Sequence, residues 1–182
     1  MSKIITTTPS SIEYGAEANI MLNAALNEVN LLGAASDLFG RFPSLNTASL
    51  RLSWLITGEL IYPRSRRPIL AHCLEAAIHA GVIAKGSGRS VRCAYLNALL
   101  QNACMLLEIN ICSGRQRWDP LVDDGLATWY PEREFAHVHP YPSREVPLPS
   151  PVRFFAGLAL RIADHADLSE LPLRWGGQEN AA

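Results

Sequence analysis

The fold turns on residues 63–112, PRSRRPILAHCLEAAIHAGVIAKGSGRSVRCAYLNALLQNACMLLEINIC. This stretch predicts two long, mostly apolar helices joined by a short basic loop, Lys85-Gly86-Ser87-Gly88-Arg89-Ser90. Proline's fixed φ and missing N–H suit a first helical position, so the first helix begins at Pro68. From Ile69 to Ala84 nearly every residue is apolar or small, the pattern of a helix buried on most sides. Its polar side chains before the loop, His72, Glu75 and His79, fall within an arc of roughly 60° at about 100° per residue. Gly81 costs about 1 kcal/mol relative to Ala in a helix interior, so it marks either close packing or an early end.

The second helix takes Ser90 as its N-cap and continues to about Asn110, with Tyr95, Leu96, Leu99, Leu100, Cys104, Leu106 and Leu107 covering most of its circumference. Asn97, Gln101 and Glu108 share the remaining side. The loop between the helices holds Gly86 and Gly88, with Lys85, Arg89 and Arg92 around the second helix's free N–H groups, an arrangement that suits a phosphate or a carboxylate. Nucleotide-binding phosphate loops follow a strand and end in Gly-Lys-Ser/Thr; this loop follows a helix and lacks that ending. A helix-turn-helix is also a poor match, because the helix after the loop is too apolar to present polar side chains to base edges.

On the N-terminal side, Tyr62-Pro63-Arg64-Ser65-Arg66-Arg67-Pro68 is a proline-bracketed basic connector whose arginines have no acidic neighbour in the local sequence. A helix from Pro68 to Ala84 is about 25 Å long, so the two basic loops cap its opposite ends. An extended nucleic-acid backbone can span both ends, and a small nucleotide cannot.

Farther out, residues 1–10 read as an unpatterned lead and residues 171–182 as a tail, leaving 11–170 as a single domain with a proline-rich arm at 118–150. A helix from Ser10 or Ser11 to about Ala35 has Met21, Leu22, Ala25, Leu26, Val29 and Leu32 on one side. Asn19, Asn23, Asn27 and Asn30 occupy a strip of roughly 80° on the other. Asparagine is a mediocre helix former, so the strip is either a solvated face or a neutral hydrogen-bonding surface toward bases or a protein partner. Another helix runs from Ser44 or Asn46 to Ile56. Seven of the twelve prolines lie between Pro120 and Pro151, which excludes a long helix there. A hairpin pairing Ala127–Tyr130 with Phe135–His139 is the expected content of that region. Ser150-Pro151 opens a last amphipathic helix carrying Phe154, Phe155, Leu158 and Ile162, which docks near Asp164 to Leu168. The expected fold is therefore mainly α: an irregular bundle of about five helices, with a proline-rich insertion able to form two strands before the last helix.

Charge is uneven along the chain. The net charge of −1 divides into −2 over residues 1–50, +6 over 51–117 and −5 over 118–182. Fourteen of the sixteen basic residues are arginine, which favours bidentate contacts to phosphate or carboxylate, although a GC-rich genome gives the same bias. Cys73, Cys93, Cys104 and Cys112 form no Cys-x-x-Cys pair and read as reduced core thiols. With no secretory signal pattern and no uncharged apolar run of 18 residues, a cytoplasmic protein without membrane association is expected.

Catalytic patterns are thin. His72 and His79 lie about 10.5 Å apart along the helix axis, too far to share one ion comfortably, and read as buried histidines bonded to Glu75 or to neighbouring helices. His137-x-His139 has a spacing found in metal sites but no evident third ligand beyond Glu132, Glu134 or a distant Asp, and Asp164-His165 lacks companion motifs. No Gly-x-Ser-x-Gly elbow is present. No cofactor and no metal site are implied.

The leading expectation is a binding protein without enzymatic activity that contacts nucleic-acid phosphates through Arg64, Arg66, Arg67, Lys85, Arg89 and Arg92, as an accessory subunit of a larger assembly. The alternative is an inhibitor, immunity factor or adaptor that meets a protein partner through Asn19, Asn23, Asn27 and Asn30, the aromatic–proline arm or the acidic end. A metal-dependent hydrolase using His137 and His139 is third. Oligomeric state is left open.

Overall fold

The computed structural model describes residues 15–56, 60–62, 66–113, 116–129, 137–139, 150–169 and 171. The lead at 1–10, the tail at 172–182, Arg64 and most of the proline-rich arm lie outside these residues. The architecture is mainly helical: α1 (Gly15–Glu28), α2 (Leu32–Arg41), α3 (Pro43–Ile56), α4 (Ile69–Ser87), α5 (Val91–Ala103), α6 (Leu126–Trp129), α7 (Pro151–Ile162) and α8 (His165–Leu168). A 3-10 turn, Cys104–Glu108, follows α5.

The single N-terminal helix expected from the pattern is two helices. Asn30 takes a left-handed conformation with φ 56°, and two backbone bonds close the end of α1: Leu31 N–H to Leu26 O at 3.0 Å and Asn30 N–H to Asn27 O at 3.1 Å. These are the paired bonds of a Schellman motif with asparagine at the left-handed position. The chain then reverses into α2.

α4 and α5 lie along each other as the spine of the bundle. α4 is longer than expected: Lys85, Gly86 and Ser87 are helical, and the connector shrinks to Gly88-Arg89-Ser90. Gly88 supplies the left-handed cap at φ 69°, and Arg89 N–H reaches back to Ala84 O at 3.0 Å. Ser90 caps α5 as expected, its Oγ accepting from Cys93 N–H at 3.3 Å. Gly81 marks close packing and not an early end, since a Cβ there would sit 3.1 Å from Leu38 Cδ1 and 3.4 Å from Tyr95 Cδ2.

α5 stops earlier than expected, and Asn110 already opens a strand. Strands β1 (Asn110–Ser113), β2 (Gln116–Arg117) and β3 (His137–His139) form an antiparallel sheet in the order β2-β1-β3. The expected hairpin is thus corrected: residues 126–129 are helical, and β3 pairs with β1, placing Cys112 opposite His137 and Asn110 opposite His139. Between β2 and α6 the chain lies on the core. Trp118 is buried, its indole N–H donating to Asp124 O at 3.0 Å, and Arg161 Nη1 donates to Pro120 O at 2.6 Å.

α7 begins where the sequence places it, with Ser150 Oγ accepting from Arg153 N–H at 3.2 Å and Pro151 in the first turn. Phe154, Phe155, Leu158, Ala159 and Ile162 join Leu26, Leu38, Leu52, Leu74, Tyr95 and Leu99 in one continuous core. α8 follows at once. Arg51 of α3 pins this junction by donating to Asp164 Oδ1 at 2.8 Å and to Ile162 O at 3.4 Å.

Candidate binding surfaces

Two groups of cations occupy opposite ends of α4, as its length requires. At the N-terminal end, Ile61 and Pro68 form an antiparallel bridge, closed by Tyr62 N–H to Arg67 O and Arg66 N–H to Tyr62 O, both at 2.9 Å. Arg66, with φ 55°, is exposed and has no ion pair among the described residues. Arg67 is held: its Nη1 lies 3.0 Å from Glu75 Oε2. The connector's arginines have no acidic neighbour in the local sequence, yet the fold gives Arg67 a partner farther on, its guanidinium reaching Glu75 along the first turns of α4. Tyr62 donates its hydroxyl to Glu108 Oε2 at 2.5 Å, bringing a second carboxylate to this end.

At the C-terminal end of α4 the sequence reading missed one residue. Asp37 of α2 accepts from both Arg41 Nε at 3.2 Å and Lys85 Nζ at 2.5 Å, so Arg41 belongs with Lys85, Arg89 and Arg92. The Asp37-x-x-x-Arg41 spacing was the available signal. Lys85 accordingly projects from the last turns of a helix and pairs with a carboxylate. Its hydrogen bond is the main reason that the Asp37 carboxyl stays below the ordinary aspartate value; desolvation opposes this, and the charges of Lys85 and Arg41 add to it. Arg89 is exposed and, among the described residues, makes no ion pair. Arg92 stands 3.7 Å from Asp167 Oδ1 with its guanidinium 5.9 Å from the centre of the Phe42 ring. Arg92 Nε and Asp167 Oδ2 are both buried without a hydrogen-bond partner among the described residues, so this pair is loosely made. Four cations therefore meet two carboxylates at this end. Of the six cations named from the sequence, Arg67, Lys85 and Arg92 face carboxylates, Arg66 and Arg89 make no ion pair among the described residues, and Arg64 lies outside those residues.

Surface ion pairs of this kind contribute about 0–1 kcal/mol, so Arg67 and Lys85 can exchange partners at little cost. Asp167 is different, being only 2% exposed.

The asparagine strip is shorter than the sequence suggests. Asn19, Asn23 and Asn27 are exposed on α1, whereas Asn30 serves as the left-handed helix terminator. Ile20 lies among the first three and is 69% exposed.

α4 departs furthest from expectation. Ile69, Leu70, Ala71, Cys73, Leu74, Ala77, Ile78, Gly81 and Ala84 are buried along one side. The other side, with His72, Glu75, Ala76, His79, Ala80, Val82, Ile83 and Gly86, is half-buried or open to solvent. Val82 is 46% exposed and Ile83 71%. The helix is long and apolar enough by length and composition to cross a membrane, yet only half of that window is buried in the fold. The expected burial on most sides is corrected to burial on one. His79 is exposed, Glu75 binds Arg67 and not a histidine, and the half-buried His72 keeps its Nδ1 without a partner among the described residues.

Burial pushes the Cys104 thiol up to about 11 and the fully buried Cys73 thiol higher still, which disfavours the reactive thiolate form at both. His137 and His139 are placed by the backbone of β3; their side chains lie outside the described residues, and among those described no three His, Cys, Asp or Glu side chains gather around one point. Asp164 is engaged by Arg51.

No family matches the chain, and no curated protein or solved structure matches it either.

Proposed function

We propose that this is a binding protein that docks against another protein through the outward side of α4. The observation that carries the reading is Ile83, 71% exposed on a helix whose solvent-facing side has no charge between Glu75 and Lys85. A helix this apolar is normally covered on most sides, and this one is covered on half, leaving Val82 and Ile83 in the open beside the polar arc of His72, Glu75 and His79. The test is recovery of a stoichiometric protein partner by the tagged chain from its native cells, after nuclease treatment, for the unaltered protein, Ile83→Asp and Val122→Asp. Val122 is 79% exposed outside α4, so it controls for any added surface charge. Loss of the partner with Ile83→Asp alone, at unchanged melting temperature, is the expected result; equal recovery by all three overturns the reading.

Contact with nucleic-acid phosphates is the second reading, favoured by the exposure of Arg66 and Arg89 and by the addition of Arg41 to the basic end. It requires binding to mixed-sequence DNA or RNA that weakens steeply as salt rises from about 50 mM and that drops on Arg66→Glu with Arg89→Glu. Undetectable binding at that low salt removes it.

A further inference from the structure

We propose that α8 is a hinged cover on the basic end of the bundle, with Asp167 competing against an incoming phosphate for Arg92. This rests on the second reading, contact with nucleic-acid phosphates, and adds its regulation. Asp167 is only 2% exposed, yet its Oδ1 stands 3.7 Å from Arg92 Nη1, beyond hydrogen-bonding distance, and its Oδ2 has no partner among the described residues. A buried carboxylate so poorly paired disfavours the closed position.

What holds α8 down is mostly apolar. Asp167 N–H and Leu168 N–H both bond to Asp164 O, at 2.9 and 3.0 Å, and Ser169 Oγ donates to Ala166 O at 2.8 Å, so the turn closes on its own backbone. Leu171 is buried and Leu168 packs half-buried against the core. Asp164 is fixed from outside by Arg51 at 2.8 Å, which makes it the pivot.

Arg92 couples the cover to the ligand. Its side chain is 42% exposed although its Nε is buried without a partner among the described residues, so a phosphate can reach it while Asp167 stays covered. Phe42, whose ring centre lies 5.9 Å from the Arg92 guanidinium, directly follows Arg41, so Arg92 belongs to the same cationic end. A phosphate that draws Arg92 outward leaves Asp167 buried with no cation, which is strongly unfavourable, so Arg92 leaves only as α8 lifts. Linkage makes this reciprocal: opening α8 strengthens phosphate binding by the factor with which phosphate opens α8.

The full chain tests it, by fluorescence anisotropy of a labelled mixed-sequence single-stranded oligonucleotide at about 50 mM salt. Asp167→Asn should tighten binding at least about five-fold, and so should Leu171→Ala, which removes no charge and leaves Arg92 and Asp167 in place. Adding Arg92→Gln to either should abolish the gain. Hydrogen exchange over residues 165–168 of the unaltered protein should accelerate when the oligonucleotide is added, and thermal melting checks that each variant is folded. A gain from Asp167→Asn without one from Leu171→Ala overturns the cover, because removing a repelling charge does that without any movement. Equal binding by all the proteins, or exchange at α8 that the oligonucleotide leaves unchanged, also overturns it while contact with phosphates stands. If no variant binds the oligonucleotide, both readings fall.

Discussion

The hydroxyls of Ser49 and Tyr95 share a 2.8 Å hydrogen bond in the middle of the core, joining α3 to α5 where both residues are 0% exposed. Ser49 Oγ also lies 2.7 Å from Leu45 O, an acceptor only, so the serine proton goes to Leu45 and the tyrosine proton to Ser49. The two substitutions that break the bond should therefore differ. Tyr95→Phe leaves Ser49 bonded to Leu45 and should cost about 1 kcal/mol, whereas Ser49→Ala strands a buried phenol and should cost about 1–3 kcal/mol. The double variant should cost less than the sum of the two, because no donor is then stranded. Urea unfolding of the four proteins measures this; equal single costs would show that Tyr95 finds another acceptor. Burial also drives the Tyr95 phenol well above its ordinary range, with the Ser49 bond opposing, so its ultraviolet titration should be missing until the protein unfolds in alkali.

Two glycines predict opposite signs. A Cβ on Gly125 would lie 2.5 Å from Trp54 O and 2.8 Å from two atoms of the Trp54 indole, backbone and a packed ring that cannot give way without moving α6 from α3. Gly125→Ala should cost about 1–3 kcal/mol and shift tryptophan emission. A Cβ on Gly40, inside α2, would have nothing within 4 Å, and Gly40→Ala should stabilise by about 0.5–1 kcal/mol through helix propensity and the unfolded chain. Thermal melting distinguishes them.

Asn30 separates what the sequence could and could not say about α1. Its left-handed φ of 56° closes the helix, so Asn30→Val should cost about 1–2 kcal/mol while Asn30→Gly should be neutral or stabilising. Asn23, exposed in mid-helix, should tolerate valine within about 0.5 kcal/mol. Comparable losses at both positions would mean that the strip is structural throughout. By spacing alone Asn19, Asn23, Asn27 and Asn30 are equivalent, because a helical wheel assumes the helix continues.

The same limit runs through the rest of the chain. Ser90 and Ser150 are legible as caps, since a cap needs only its own next turn. The direction of α4's solvent side is legible, since His72, Glu75 and His79 share one arc, but its width is not: the composition fits a helix buried on most sides, and coverage depends on how many neighbours the fold supplies. Pairing of β3 with β1 and of Arg67 with Glu75 depends on chain reversals that leave no periodic trace. The Asp37–Arg41 pair, by contrast, sits at ordinary helical spacing, so the sequence alone carries that part of the basic cluster.

Asp37 gives the basic end a pH signature. Its hydrogen bond from Lys85 holds the carboxyl below the ordinary aspartate value in the folded chain, and the nearby charges of Lys85 and Arg41 act the same way. A group whose folded pKa is depressed adds stability above its unfolded pKa, at about pH 4, and that contribution disappears as the pH falls through the lower folded value. Lys85→Met should therefore raise the Asp37 titration midpoint, followed by the carboxyl carbon in NMR, toward that of an unpaired aspartate. Arg41→Met should raise it less, since Lys85 supplies the largest contribution. Because the site is exposed, the melting temperature at neutral pH should hardly move in either variant. If the midpoint is the same in all three proteins, Asp37 is not gathering the two cations in solution, and the cluster that supports a polyanion contact at this end disperses with it.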